Sequence, residues 1–471
     1  MRWTPEALAA ITGGALRQRV DRPIHTAFFD SRQPVQDGLF VPIVAARDGH
    51  EFIPSAIAGG ASAVLQGRGR PLHPGASVVE VDDPLRALEA LAVDARERCP
   101  GPVVAITGSN GKTTTRAMIT AVIGAAGGRI LSTRGNLNNH LGVPLTMVGD
   151  PDEPTSMVIE LGMSAPGEND HLAALVRPTH AVITSVALEH LEFMGSLAAI
   201  ARAEAEPIAH IQPGGALLIP GDEPLLLEQV PAIDPPLVHT FAAGDDPLVA
   251  VVGVELGERT VATLEVRDPE GGRQRVTVRL QAFGAHNARN AAAALAVGVD
   301  LGLDMQAMIA ALEATAPVGD RGRVLSIGGR RVIADCYNAN PGSMAAALRS
   351  LAGLRGGVDG RSGRLVAVLG DMLELGPDED ALHQEIGALC AELELDAVIT
   401  VGPRVRHLGA AAAAGGIEVA GFDREADPAA IAAAARELSG AGAAILVKGS
   451  RGIRLERVIE AMRAAEPHAA E

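Results

Sequence analysis

The segment best equipped for chemistry is Gly108-Ser109-Asn110-Gly111-Lys112-Thr113-Thr114, between the apolar run VVAIT and the helix-forming run KTTTRAMITAVIGAAG. Amides of a tight glycine loop and of a helix N-terminus present partial positive charge. A lysine adds a compact ammonium, and a threonine hydroxyl suits Mg²⁺. Together these groups can hold nucleotide phosphates. The strict spacing GxxxxGK[ST] would need glycine at position 106, where the chain has Ile106, so the loop is a non-standard form. The competing reading is a glycine-rich βα turn with a solvated lysine. Lysine usage favours phosphate: of 40 basic residues only Lys112 and Lys448 are lysines. Arginine's planar fork cannot replace an ammonium wrapped inside a loop. Two lysines that survive a chain-wide preference for arginine mark positions of strict local need.

Presenting such a loop requires a strand before it and a helix after it, and the surrounding sequence repeats that alternation. Residues 1–100 read as a small α/β domain. It has short strands at GLFVPIV and ASAVLQ, a helical FIPSAIAGG, and a helix DPLRALEALAVDARERC that ends in the linker Cys99-Pro100-Gly101-Pro102. Residues 101–316 read as a central ATPase-like domain, a doubly wound and mostly parallel sheet with strands at VVAIT, SMVIEL, HAVITSV and GALLIP. The alternating runs TVATLEV and QRVTVRL, joined through DPEGGR, predict an antiparallel hairpin at its edge. The helix HNARNAAAALAVGVDLG closes it. Residues 317–471 read as a Rossmann-like α/β domain with strands RRVIAD, RLVAVLG, AVITVG and AAILVKG. Alanine-rich runs such as AAIAAAAREL serve as its helices.

The bulk numbers bound the function. A chain of 471 residues exceeds one core, and 47% apolar residues support several. The net charge of −17 argues against binding nucleic acid or anionic membrane. Three widely spaced cysteines, Cys99, Cys336 and Cys390, make no zinc or disulfide pattern. With no long apolar run, the chain is expected to work in the cytoplasm, as a monomer, on small molecules.

TGSNGKTTT resembles the phosphate loop of the Mur ligases, the ATP-dependent peptide-bond formers of peptidoglycan synthesis. Further matches follow in order: STRGNLNNHLGVPLT, IELGMSAPGE, LEHLEFMGS, GAHNARNA, DCYNANPGSM, LGDMLELG and LVKGSR. The YNANP and GDMLELG segments resemble the branch that joins D-alanyl-D-alanine to UDP-N-acetylmuramoyl-tripeptide. The resemblance implies ATP, one or two Mg²⁺ ions, and an acyl-phosphate intermediate on the tripeptide carboxylate. It implies that Gly108 to Thr114 hold phosphates. Thr113 and Glu160 would ligate Mg²⁺, although a strand-end glutamate taken alone is usually a solvated edge residue. His190 would have a second-metal role, although a lone histidine is more often structural. His286, Asn287 and Asn290 would lie against the adenine, with a helix-capping role as the alternative for the asparagines. Arg323, Asp335 and Tyr337 would approach the nucleotide. Lys448 would sit near the transferring phosphoryl group or the dipeptide, and Ser450 and Arg451 beside it. Asp371 and Glu374 would bind the dipeptide ammonium or cap the chain locally. Ser31, Arg32, Asp48, Gly49 and His50 match the uridine-diphosphate motifs, with Asn136 and Asn138 on the same substrate. Phe52 would pack near the uracil or fill core.

Two departures qualify the resemblance. The family usually carries a carbamylated lysine where this chain has Glu204, in IARAEAEPI. Glutamate supplies a carboxylate directly, shorter by about three atoms or roughly 3–4 Å, so no carbamylated lysine is expected and Glu204 is a candidate metal ligand. The segment FVPIVAARDGH lacks the branch's usual loop glycine. That leaves open a paralogue running the same chemistry on another carboxylate and amine, or a catalytically lapsed nucleotide-binding relative.

Overall fold

The computed structural model describes residues 2–150, 152–231, 236–267, 271–355 and 363–466. Its strands form three sheets of five, nine and six strands, each mixing parallel and antiparallel pairs. The chain packs into two compact units, one made of Met1–Thr107, Gly127–Val182 and Glu206–Leu217, the other of Gly108–Ala126, Ile183–Ala205 and Leu218–Glu471.

In the first unit the five-stranded sheet runs Ala15–Gln18, Ser77–Val81, Ala63–Gly67, Gly38–Phe40, Thr26–Phe28. Only the Ala15–Gln18 edge pairs antiparallel. The expected strand GLFVPIV stops at Phe40, because Pro42 has no amide to continue a ladder. Helix Pro84–Glu97 starts where the Asp83 carboxylate accepts from the Leu85 and Arg86 amides, with proline at its first position. It buries Leu88, Leu91, Ala92 and Ala95 in a cluster shared with Trp3, Val103, Met157 and Ile159. Strands Val103–Thr107 and Ser156–Glu160 are parallel and buried along their length, as continuous apolar runs should be. Their register sets Glu160 opposite Ile106, two residues short of the glycine loop.

In the second unit helix Lys112–Ala125 packs on helix His286–Asp300, whose run of buried alanines permits close approach. Strands Val249–Leu256, Thr260–Arg267 and Arg273–Leu280 form the expected antiparallel edge, and burial alternates along the middle one. Residues 268–270 of the DPEGGR turn lie outside the described residues. The six-stranded sheet runs Arg323–Ile327, Arg330–Ala334, Ala444–Lys448, Leu365–Gly370, Ala397–Val401, Glu418–Phe422, parallel except for the first pair. Asp335, Asp371 and Ser450 all follow the carboxyl ends of its three central strands, where an open α/β sheet places its ligands. Strand Arg323–Ile327 was not expected. It opens with a charged residue, is half-buried over most of its length and pairs on one side only, as an edge strand does.

Candidate active site

The glycine loop is built from its backbone outward. Gly108 has φ +117°, and a Cβ there would lie 2.3 Å from Thr184 Oγ1. Gly111 has φ +88°, and its Cβ would lie 2.6 Å from Asn290 Oδ1. Only glycine fits either position. The amides of Gly108, Ser109 and Asn110 donate into the protein, to Glu204 Oε2 (2.8 Å), Ser185 O (2.9 Å) and Ser185 Oγ (3.0 Å). The amides that open helix Lys112–Ala125 follow directly. Lys112 Nζ donates to Gly108 O at 2.5 Å and stands 3.6 Å from Glu189 Oε1. Thr113 and Thr114 are buried in the first helical turn. Burial pushes the Glu189 carboxyl up to about 8; Lys112 pulls it back and the adjoining Glu204 carboxyl pushes it further up.

A cavity of about 200 Å³ opens in the same unit, lined in part by Glu189, His190, Asn338, Asn340, Glu374 and Arg451. His190 (φ +49°) and Glu374 (φ +63°) both hold the left-handed conformation, costly for residues with a side chain. They meet there, His190 Nδ1 lying 2.6 Å from Glu374 Oε2. Asn340 Nδ2 donates to Asn110 Oδ1 at 2.9 Å, tying the cavity wall to the glycine loop. The site therefore offers a carboxylate and a guanidinium within one space beside the loop.

Behind the cavity, buried Lys448 donates to Asp335 Oδ2 at 2.7 Å and to Asn338 O at 3.1 Å. Ser450 Oγ receives the Leu373 amide at 3.1 Å and contacts Ala339 O at 3.3 Å, so it joins the GDMLELG and YNANP loops. Asp371 is only 1% exposed, and its Oδ1 is taken by the Arg404 and Val405 amides at 2.9 and 2.7 Å. Of its two expected roles, local capping is the one the structure displays. Glu374 alone of that pair lines the cavity.

Of the adenine candidates, Asn287 and Asn290 are buried. Asn287 Nδ2 donates to Phe283 O (2.8 Å) and Asn290 Nδ2 to Asn287 Oδ1 (2.9 Å), which braces the loop from below. Desolvation lowers the His286 pKa. Arg323 Nη2 is held by Asp320 Oδ1 at 2.5 Å, whereas Arg321 stacks on Tyr337, its Cζ 3.6 Å from the ring centroid. Arg451 flanks the same ring at 5.8 Å. Arg323 was expected to approach the nucleotide, and the stacking of Arg321 on Tyr337 was not read from the sequence.

In the first unit Glu160 is buried. Its amide donates to Thr133 Oγ1 (2.9 Å), and its Oε1 receives Asn138 Nδ2 (3.0 Å). Asn138 thus orients this carboxylate, while Asn136 is exposed. Arg32 pairs locally with Asp30 through two bonds of 2.9 Å. His50 is buried, with Nδ1 2.7 Å from Asp48 Oδ1 and Nε2 accepting the Gly67 amide at 2.9 Å. Both ring nitrogens are used in building the loop. Hydrogen bonds from His50 hold the Asp48 pKa down to about 2. Gly49 admits the backbone of Ile43, whose O would lie 2.5 Å from a Cβ. Arg70, 2.7 Å from Asp48, and Arg47, stacked over Phe52 at 5.3 Å, were not singled out by sequence. Arg47 adjoins the DGH motif and Arg70 lies in none of the quoted segments, and chemical signal in a lone surface arginine is weak.

Among the described residues no group of three or more His, Cys, Asp or Glu side chains is gathered as a metal ion would require, and no helix is long and apolar enough to cross a membrane. Residues 106–298 match the Mur ligase middle domain, and residues 320–451 match the Mur ligase glutamate ligase domain. The chain is 36% identical over 447 residues to the UDP-N-acetylmuramoyl-tripeptide--D-alanyl-D-alanine ligase of Bacillus subtilis, covering 93% of both chains. Its fold is similar to that of MurF from Acinetobacter baumannii (TM-score 0.85, 29% identity, 98% of this chain and 99% of that one). It is also similar to MurF of Thermotoga maritima in complex with ADP (TM-score 0.80, 26% identity, 93% and 97%).

Proposed function

The chain belongs to the Mur ligase family, and we propose that it joins D-alanyl-D-alanine to UDP-N-acetylmuramoyl-tripeptide at the cost of one ATP. Near-full-length similarity to ligases of that activity supports the reaction. The observation within the molecule that carries it is the cavity, where a carboxylate and a guanidinium share about 200 Å³ beside the nucleotide loop. A zwitterionic dipeptide fits that pattern: ammonium toward Glu374, carboxylate toward Arg451.

The reaction has two transfers. An oxygen of the tripeptide carboxylate bonds to the γ-phosphorus as the bond to the β-phosphate oxygen breaks, and ADP leaves. The dipeptide amine then attacks the acyl carbon, loses a proton, and expels inorganic phosphate. Amides at the start of helix Lys112–Ala125 and the Lys112 ammonium hold the phosphates. Lys112 reaches them by giving up its contacts with Gly108 O and Glu189. Glu374, oriented by His190, receives the ammonium and the proton it sheds. Lys448 fixes the Asn338 wall against which the dipeptide lies.

Hard oxygen donors fit Mg²⁺, and the Thr113 hydroxyl and the Glu160 carboxylate are the donors we propose for it. Mg²⁺ would neutralise charge on the transferring phosphoryl group. A second ion on His190 and Glu204 would use their other donor atoms, since His190 Nδ1 is engaged by Glu374 and Glu204 Oε2 by the Gly108 amide. No step here depends on it. We assign residues 1–100 to the nucleotide-sugar, 101–316 to ATP and 317–471 to the dipeptide, in a monomer acting in the cytosol.

Mass analysis of a reaction with all three substrates tests the assignment. One dipeptide added per ADP formed supports it, and an unmodified tripeptide with ATP intact contradicts it.

A further inference from the structure

Glu204 closes helix Leu197–Ala205 and is 1% exposed, yet its carboxylate points at the backbone of a different segment. Its Oε2 receives the Gly108 amide at 2.8 Å. Gly108 is the first loop residue, with φ +117°, and no side chain fits there to hold it in place. The next two amides are fixed by Ser185. Three consecutive donors thus turn inward, and the first of them depends on one side chain from outside the strand and helix that flank the loop. Glu204 also adjoins the Glu189 carboxyl, which in turn faces Lys112.

We propose that Glu204 is a positioning residue for the phosphate loop, acting as a hydrogen-bond acceptor for Gly108. The inference rests on the reading that this loop holds nucleotide phosphates. By fixing the Gly108 amide inward, Glu204 sets the crank of the loop, so that the amides opening helix Lys112–Ala125 face the ligand. What the position requires is an oxygen at that reach. It does not require a negative charge.

Charge and reach can be separated by substitution. Glu204→Gln keeps the reach and loses the charge: its carbonyl can accept from Gly108, and its amide can donate to Glu189. Glu204→Asp keeps the charge but withdraws the oxygen by one methylene, about 1.5 Å. Glu204→Ala removes both. The readout is calorimetric binding of ADP in Mg²⁺ with no other substrate, beside the melting temperature of each nucleotide-free protein. Expected is Glu204→Gln within about threefold of the unaltered chain, with Glu204→Asp and Glu204→Ala about tenfold weaker and a melting temperature lowered by no more than about 3 °C. That size is what loss of one buried hydrogen bond gives. Should Glu204→Ala fail to fold, the comparison of Gln with Asp still decides. A tight Asp variant beside a weak Gln variant would show that charge matters and overturn the proposal. Equal affinity for all variants would overturn it as well. An unaltered chain that binds no ADP would sink the nucleotide reading together with it, and only that outcome touches the ligase assignment.

Discussion

Lys448 shows how strictly a single residue can be specified. Its ammonium reaches both Asp335 Oδ2 and Asn338 O from a site only 3% exposed. A guanidinium is larger and planar, and cannot make both contacts in that space. Lys448→Arg should lower turnover about 100-fold and cost about 1–3 kcal/mol of stability. Steady-state kinetics and urea unfolding check this, and wild-type turnover would contradict it. Glu189 gives a pH test. Its carboxyl is raised from 4.5 to about 8 in the fold. Between those pH values the unfolded chain has lost the proton and the folded chain keeps it, so stability falls as pH rises. Glu189→Gln should therefore gain in melting temperature over the unaltered chain on going from pH 5 to pH 8. An unchanged gap across that range would refute the shared-burial account. Both lysines were legible in the sequence because composition exposed them. Glu189 was not, because its weight comes from Glu204 and Lys112, which are distant in the chain. Arg321 drew no reading for a similar reason: its meeting with Tyr337 joins two segments that only the fold brings together.

At the level of elements, the loop works because two glycines let it pass between fixed neighbours. Gly111→Ala would need a Cβ 2.6 Å from Asn290 Oδ1 at φ +88°. It should cost about 1–3 kcal/mol and abolish detectable nucleotide binding. A variant that binds ADP normally would show that the helix start tolerates a shifted loop. The buried strands, the main helices and the antiparallel edge could be read from apolar runs and alternation, since those patterns follow directly from which faces are covered. The short ending of Gly38–Phe40 and the edge strand Arg323–Ile327 could not, because tertiary pairing overrides local pattern there. Capping by Asp371 was one of its two expected roles, but its partners were hidden: they are the amides of residues 404 and 405, more than 30 residues along the chain.

Across the whole molecule, three sheets carry the three groups of proposed recognition residues, and a ligand that binds only the folded chain must stabilise it. ADP at about 100 times its Kd should raise the melting temperature by about 3 °C, from roughly 2.7 kcal/mol spread over the unfolding entropy of a chain this long. Differential scanning fluorimetry with and without Mg-ADP reads this directly, and no shift at saturation would speak against a nucleotide site. The central claim is that this chain couples ATP cleavage to amide formation between two particular partners. Phosphate release by the purified protein, measured with each substrate left out in turn, tests it most directly. The account predicts release only when ATP, UDP-N-acetylmuramoyl-tripeptide and D-alanyl-D-alanine are all present, and release without the tripeptide, or with unrelated amines in place of the dipeptide, would contradict it.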